Sequence, residues 1–170
     1  MPSKSTGASS PDIQLRAVIA SDLPILFEHQ ADREASRMAA FPSRDREAFM
    51  SHWAKLLADE TKVVRAILLQ GEVVGNVGSW VSEGSRRVGY WIGRAHWGRG
   101  IATRALAEFL KEIPERPVQA FVAKENIGSI RVLEKCGFSL CRLETEGREP
   151  PRDGVEELVS YFERNNIRSP

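Results

Sequence analysis

The sequence predicts one mixed α/β domain with a largely antiparallel sheet. Three observations lead there. Short apolar runs rich in β-branched residues are interleaved with segments whose apolar residues recur at helical spacing. The connections at 70–72 and 82–86 are short and polar, which pairs neighbouring strands antiparallel. The chain has 170 residues, 42% of them hydrophobic and 28% charged, which suits a single core.

The elements follow in order. Residues 13–18 read as a first strand. Ser21 and Asp22 offer an N-cap and Pro24 fits the first turn of a helix that runs to about Asp32. A loop over 37–43 precedes a second helix over 44–58, with Phe49, Trp53, Leu56 and Leu57 at helical spacing. Runs 63–69 and 73–81 flank the turn Gln70, Gly71, Glu72 and form a hairpin. A strand over 88–92 follows the polar turn 82–86. The third helix, about 100–113, carries Ala102, Ala105, Leu106, Phe109, Leu110 and Ile113 on one face, and Pro114 and Pro117 stop it. Run 118–123 is a strand, joined to 88–92 by a right-handed crossover. Asn126 caps a fourth helix over 127–136, and Gly137 sits just past its end, where a left-handed residue is needed. Two closing strands are expected at 138–143 and 157–162. The domain is expected to span 12–166, between a disordered N-terminal tail at 1–11, rich in Ser, Gly and Pro, and a short C-terminal tail at 167–170.

Bulk properties narrow the function. A formal net charge of +1 and the lack of a long Lys/Arg run give no general attraction to nucleic acid or anionic membrane. No apolar stretch has the length of a membrane span, and the first residues have no signal-peptide core. Cys136 and Cys141 do not combine with His29, His52 and His96 into a metal-ligand pattern, so no metal is expected. Two thiols of this kind suit a reducing cytoplasm.

The sharpest feature is the Gly-rich loop that opens the third helix, Trp97, Gly98, Arg99, Gly100, Ile101, Ala102 and Thr103. Closely spaced glycines let the backbone bend and approach a ligand. The helix start offers free N–H groups and the positive end of its dipole, together an anion site suited to a pyrophosphate. Arg99 and Arg104 add charge. No Lys-Ser/Thr pair follows, which excludes a Walker A loop. Gly98, Gly100 and Thr103 give GxGxxT, a near miss for a dinucleotide fingerprint. Such a loop, however, should follow its strand directly and usually opens the chain.

The stretch 88–106, VGYWIGRAHWGRGIATRAL, resembles the acetyl-CoA motif of the GNAT N-acetyltransferase superfamily. The stretch 126–138, NIGSIRVLEKCGF, resembles the motif that follows it in that family. Trp97, the second motif and the segment 53–59 are similar to the RimJ/RimL-like branch. The resemblance implies a central twisted sheet with a V-shaped cleft and four flanking helices. It implies that Tyr90, Trp91 and Ile92 lie where the strand splays from 118–123 and pair with a pantetheine arm. A backbone N–H near Trp91 or Ile92 would bind the thioester oxygen, the usual logic of acyl transfer. The N–H groups of residues 98–103 would hold the pyrophosphate. Asn126 would bond the pantetheine or simply cap its helix.

Acetyl-CoA is then the co-substrate and a primary amine the acceptor, either a protein or peptide N-terminus or a small molecule. Transfer would be by direct attack in a ternary complex, and the protein would work as a monomer or homodimer. Many members carry a Tyr seven residues after the Asn as general acid. Here that position is Leu133, and Ser129 is the nearest hydroxyl that can replace it. The base is open: Glu83, His96 and Glu125 are near in sequence, and proton loss through ordered water is an alternative. The acceptor side is expected to be lined by 37–43 and 144–156. A non-catalytic acyl-CoA-binding or sensor domain, a different nucleotide-binding domain and a pure scaffold are the competing classes.

Overall fold

The computed structural model describes residues 12–142 and 157–162. Both expected tails and the whole acceptor segment 144–156 lie outside the described residues.

The elements are β1 (Ile13–Ala17), α1 (Leu23–Ala31), α2 (Arg33–Met38), α3 (Arg46–Ala58), β2 (Val63–Leu69), β3 (Glu72–Ser82), β4 (Ser85–Ile92), α4 (Ile101–Glu112), β5 (Val118–Ala123), α5 (Ile127–Lys135), β6 (Ser139–Arg142) and β7 (Glu157–Phe162). They build a 7-stranded sheet in the order β1-β2-β3-β4-β5-β7-β6. Every neighbouring pair is antiparallel except β4 and β5. This is the expected mixed α/β fold with a largely antiparallel sheet.

Period-2 alternation puts helices on both faces. On β2, Ile67 and Leu69 join the core under α4 and α5, with Val77, Val88, Leu106 and Phe109. Ala66 and Leu68 join a second core with Leu26 of α1 and Phe49 and Trp53 of α3. The two hairpin turns have the left-handed pairs that match strand twist: Gln70 (φ 51°) with Gly71 (φ 84°), and Glu83 (φ 51°) with Gly84 (φ 76°).

Three local expectations are corrected. Asp22 does not cap α1; its backbone is helical and its side chain makes no cap bond. It instead accepts two hydrogen bonds from Arg16, at 2.6 and 2.8 Å, and one from the Ile19 N–H at 2.9 Å. The guanidinium holds that buried carboxyl below its ordinary range. Part of the expected loop 37–43 belongs to a fifth helix, α2, capped by Asp32, which accepts from the Ala35 N–H at 2.9 Å. The turn before β4 is only Glu83 and Gly84, closed by the pair Ser82 and Ser85. Arg86 and Arg87 are therefore strand residues, and Arg87 stacks 4.4 Å from the Phe121 ring on β5.

Candidate active site

The site begins where the sheet opens. β4 and β5 pair only through Arg86 with Val118 and Arg87 with Gln119. Beyond that the strands part, and among the described residues, residues 88–92 form no strand pair on the β5 side. The direction of the backbone groups follows from β3. The Gly93 N–H donates to the Val74 carbonyl at 2.9 Å. Period 2 sends the groups of Trp91 toward β3 as well, and those of Tyr90 and Ile92 into the gap. Gly75 confirms it: a Cβ there would lie 2.2 Å from the Trp91 carbonyl oxygen. Of the two N–H groups expected near the thioester, Ile92's faces the cleft and Trp91's does not.

The Gly-rich loop lies at the end of β4. Gly98 and Gly100 have φ of 72° and 74°, open to glycine at no cost, and nothing lies within 4 Å of a Cβ at either. The first backbone bond of α4 is from the Arg104 N–H to the Gly100 carbonyl at 3.1 Å. The N–H groups of residues 98–103 donate to no backbone carbonyl among the described residues. Consecutive unpaired donors at a helix start fit a pyrophosphate or a similar anion. The Trp97 indole N–H fixes the loop to the strand, donating to the Ile92 carbonyl at 2.9 Å. The Cys136 thiol bonds the Thr103 carbonyl at 3.3 Å and ties α5 to the start of α4.

On α5, the Asn126 side-chain oxygen accepts from the Ser129 N–H at 3.1 Å, so Asn126 is a helix cap through its oxygen and keeps its amide N–H groups for other partners. Leu133 is buried in the core, 2% exposed. The phenol of Tyr90 reaches toward α5 from the opposite wall. Its Oη is buried with no hydrogen-bond partner among the described residues, and burial pushes its pKa up to about 12. Ser129 is the polar neighbour that opposes this rise, although no hydrogen bond of normal geometry joins the two.

Two cavities meet here. One, of about 410 Å³, is walled by Tyr90, Trp91, Ile92, all of residues 97–103, Asn126 and Ser129. The cofactor-side residues expected from the sequence thus line a single cavity, except Arg104, which lines neither. The other, of about 460 Å³, lies on the α3 side, and its walls include the rings of Phe41, Trp53, Trp80 and Phe121. Ala39, Tyr90, Trp91, Asn126 and Ser129 belong to both walls.

Of the three candidate bases, only His96 lines a cavity; Glu83 is tied to Arg87 in the β3–β4 turn, and Glu125 lines neither. The sequence did not point to Ala35, which reaches the first cavity from α2; Met38 and Ala39, expected on the acceptor side within 37–43, line the first cavity, and Ala39 lines the second as well. Arg131, Val132 and Lys135 also line it; their spacing from Gly128 on one helix was the signal. Among the described residues no group of His, Cys, Asp and Glu gathers as a metal site, and no helix is long and apolar enough to cross a membrane.

A sheet splayed at one parallel junction, with a donor-lined loop at the splay and a second cavity across it, forms a cleft of two adjoining cavities. The model of the acetyltransferase (GNAT) domain matches residues 12–139, and the chain belongs to that family. A probable N-acetyltransferase of Bacillus subtilis, YjcK, is 40% identical over 55 residues, which is 30% of this chain and 30% of that protein. The fold is shared with RimJ of Mycobacterium smegmatis, solved with a CoA-disulfide (TM-score 0.71, 24% identity, 92% of this chain and 84% of that one). It is also shared with the spermidine N-acetyltransferase of Vibrio cholerae, solved with CoA and spermine (TM-score 0.71, 19% identity, 88% and 92%).

Proposed function

We propose that this chain transfers the acetyl group of acetyl-CoA to a primary amine, by direct attack with both substrates bound. The observation that carries this is the meeting of a donor-lined cavity and an aromatic cavity at Tyr90, Trp91, Asn126 and Ser129. Acetyl-CoA supplies the activated acyl group. The N–H groups of residues 98–103 hold its pyrophosphate, with Arg99, Arg131 and Lys135 adding positive charge at the same wall. The Ile92 N–H, facing the gap, meets the oxygen on which negative charge develops. Ser129 donates a hydrogen bond to the departing sulfur. Neither cavity is lined by an Asp or Glu among the described residues, so the amine loses its proton to His96 or through ordered water.

The same proposal takes the chain as one domain over 12–166 of the RimJ/RimL-like branch, acting in the cytoplasm as a monomer or homodimer. The free, half-buried Cys136 suits a reducing compartment. The test is release of CoA thiol from acetyl-CoA over a panel of primary amines, with the acetylated product identified by mass. Acetyl-CoA binding with no turnover on any amine would instead favour the acyl-CoA-binding or sensor alternative, which the Leu133 position and the missing carboxylate base motivate.

A further inference from the structure

The aromatic cavity has a charge as well as a shape. Its described walls carry Arg44, His52 and Lys62 and no Asp or Glu. Lys62 is partly neutralised by Asp59, 3.3 Å away. Arg44 is not: its guanidinium lies 5.1 Å from the centre of the Phe41 ring, and among the described residues it meets no carboxylate. His52 responds to this field. Its pKa is lowered, first by burial and then by Arg44, Lys62 and Lys55. The rings of Phe41, Trp53, Trp80, Trp91 and Phe121 share these walls with the cations Arg44 and Lys62. A cavity of about 460 Å³ takes a small molecule or the first residues of a peptide.

We propose that the acceptor is a primary amine carried on an aromatic or apolar body together with an anionic group, which Arg44 and His52 hold while the rings enclose the body. This rests on the acetyltransferase reading and names its substrate class. Two physical consequences support it. An amine entering a positive field loses its proton more readily, and only the neutral amine attacks. A polycationic amine meets Arg44 and Lys62 and, among the described walls, no carboxylate, which disfavours it.

The test uses the full chain, acetyl-CoA and matched acceptors: phenylalanine against phenethylamine, compared per neutral amine, with spermidine as the polycation. The carboxylate should raise kcat/KM roughly tenfold or more, the worth of a hydrogen bond to a charged group. Arg44→Glu should abolish or reverse that preference. Equal or better turnover of phenethylamine or spermidine overturns the proposal, as does an unchanged preference in Arg44→Glu. A second measurement is independent of turnover: the His52 imidazole is titrated by NMR with phenylpropionate, which has the anion and ring but no amine. Binding should raise the His52 pKa, and phenethylamine should not. A His52 response with no acetylation of any amine keeps the anion site and counts against the transferase reading. No response to millimolar phenylpropionate overturns the anion site itself.

Discussion

The two cavities are made of different materials. The first is built from backbone: consecutive N–H groups at the start of α4 and strand groups exposed where β4 leaves β5. The second is built from side chains: rings brought from α3, β3, β4 and β5, and cations from the chain around α3. Backbone donors suit a ligand part that never varies, such as a pyrophosphate, because they depend on chain path and hardly on side-chain identity. Side chains suit the partner that must be discriminated, because each can be exchanged without moving the strand behind it. The difference teaches that cofactor affinity and acceptor choice should respond to separate substitutions.

The largest separation is expected from the loop. Gly98→Ala with Gly100→Ala adds no clash, since nothing lies within 4 Å of either Cβ. It imposes about 1–2 kcal/mol of left-handed strain per residue, and the loop relieves it by turning its N–H groups away. Calorimetric affinity for CoA should then fall by about 30-fold or more, with phenylpropionate binding in the second cavity unchanged. A matched loss at both cavities would show that they are not separable.

Ser129 lies on the boundary, so its effect should be smaller and confined to rate. Ser129→Ala should lower turnover about tenfold or more and leave acetyl-CoA affinity intact, because a donor to the leaving group acts only as the bond breaks. Unchanged turnover removes Ser129 from the mechanism.

Tyr90, on the same boundary, should show itself in stability at high pH. Its folded pKa of about 12 lies above the ordinary value of 10.0, so between the two the folded state holds the proton the unfolded state has lost. Stability from this group is complete below pH 10 and declines as pH rises toward 12, by up to about 1.4 kcal/mol per unit. Denaturant titrations across that range should show the slope in the native protein and a flatter one in Tyr90→Phe. A slope of equal size in both would mean the phenol is not buried as described.

The smallest effect is expected at Asn126. Asn126→Ala removes the acceptor for the Ser129 N–H and should cost about 1 kcal/mol of stability. Asn126→Asp restores the cap but not the amide N–H. If it recovers the melting temperature without recovering CoA affinity, Asn126 both caps and binds; recovery of both makes it a cap alone.

The first cavity was legible in the sequence because its signals are local. Gly98 and Gly100, the 3.6-residue stripe from Ala102 to Ile113, and Asn126 three residues before the N–H it caps all lie within short windows. The second cavity was legible only in part: Ala39 and Phe41 come from the segment singled out in the sequence, Arg44 directly follows it, and the rest do not belong to it. Phe49, Trp53, Trp80 and Phe121 each look like ordinary core residues, and only the folded chain brings their rings together. α2 escaped notice because six residues with Ala35 alone buried show no apolar stripe. The start of β4 read as turn because Ser85, Arg86 and Arg87 are polar; a two-residue turn and a ring on β5 keep them in the strand. The buried Tyr90 hydroxyl, too, depends on a helix that lies far along the chain.

The most direct test of the cleft as an acetyl-CoA site is thermal unfolding with acetyl-CoA, CoA or NADH at matched concentrations. A ligand at about 100 times its dissociation constant adds about 2.7 kcal/mol, which is several degrees for a domain of this size. The predicted result is an upward shift with acetyl-CoA and with CoA and none with NADH. A shift with NADH alone, or with none of the three, would contradict the role given to residues 98–103 and, with it, the transferase reading of this chain.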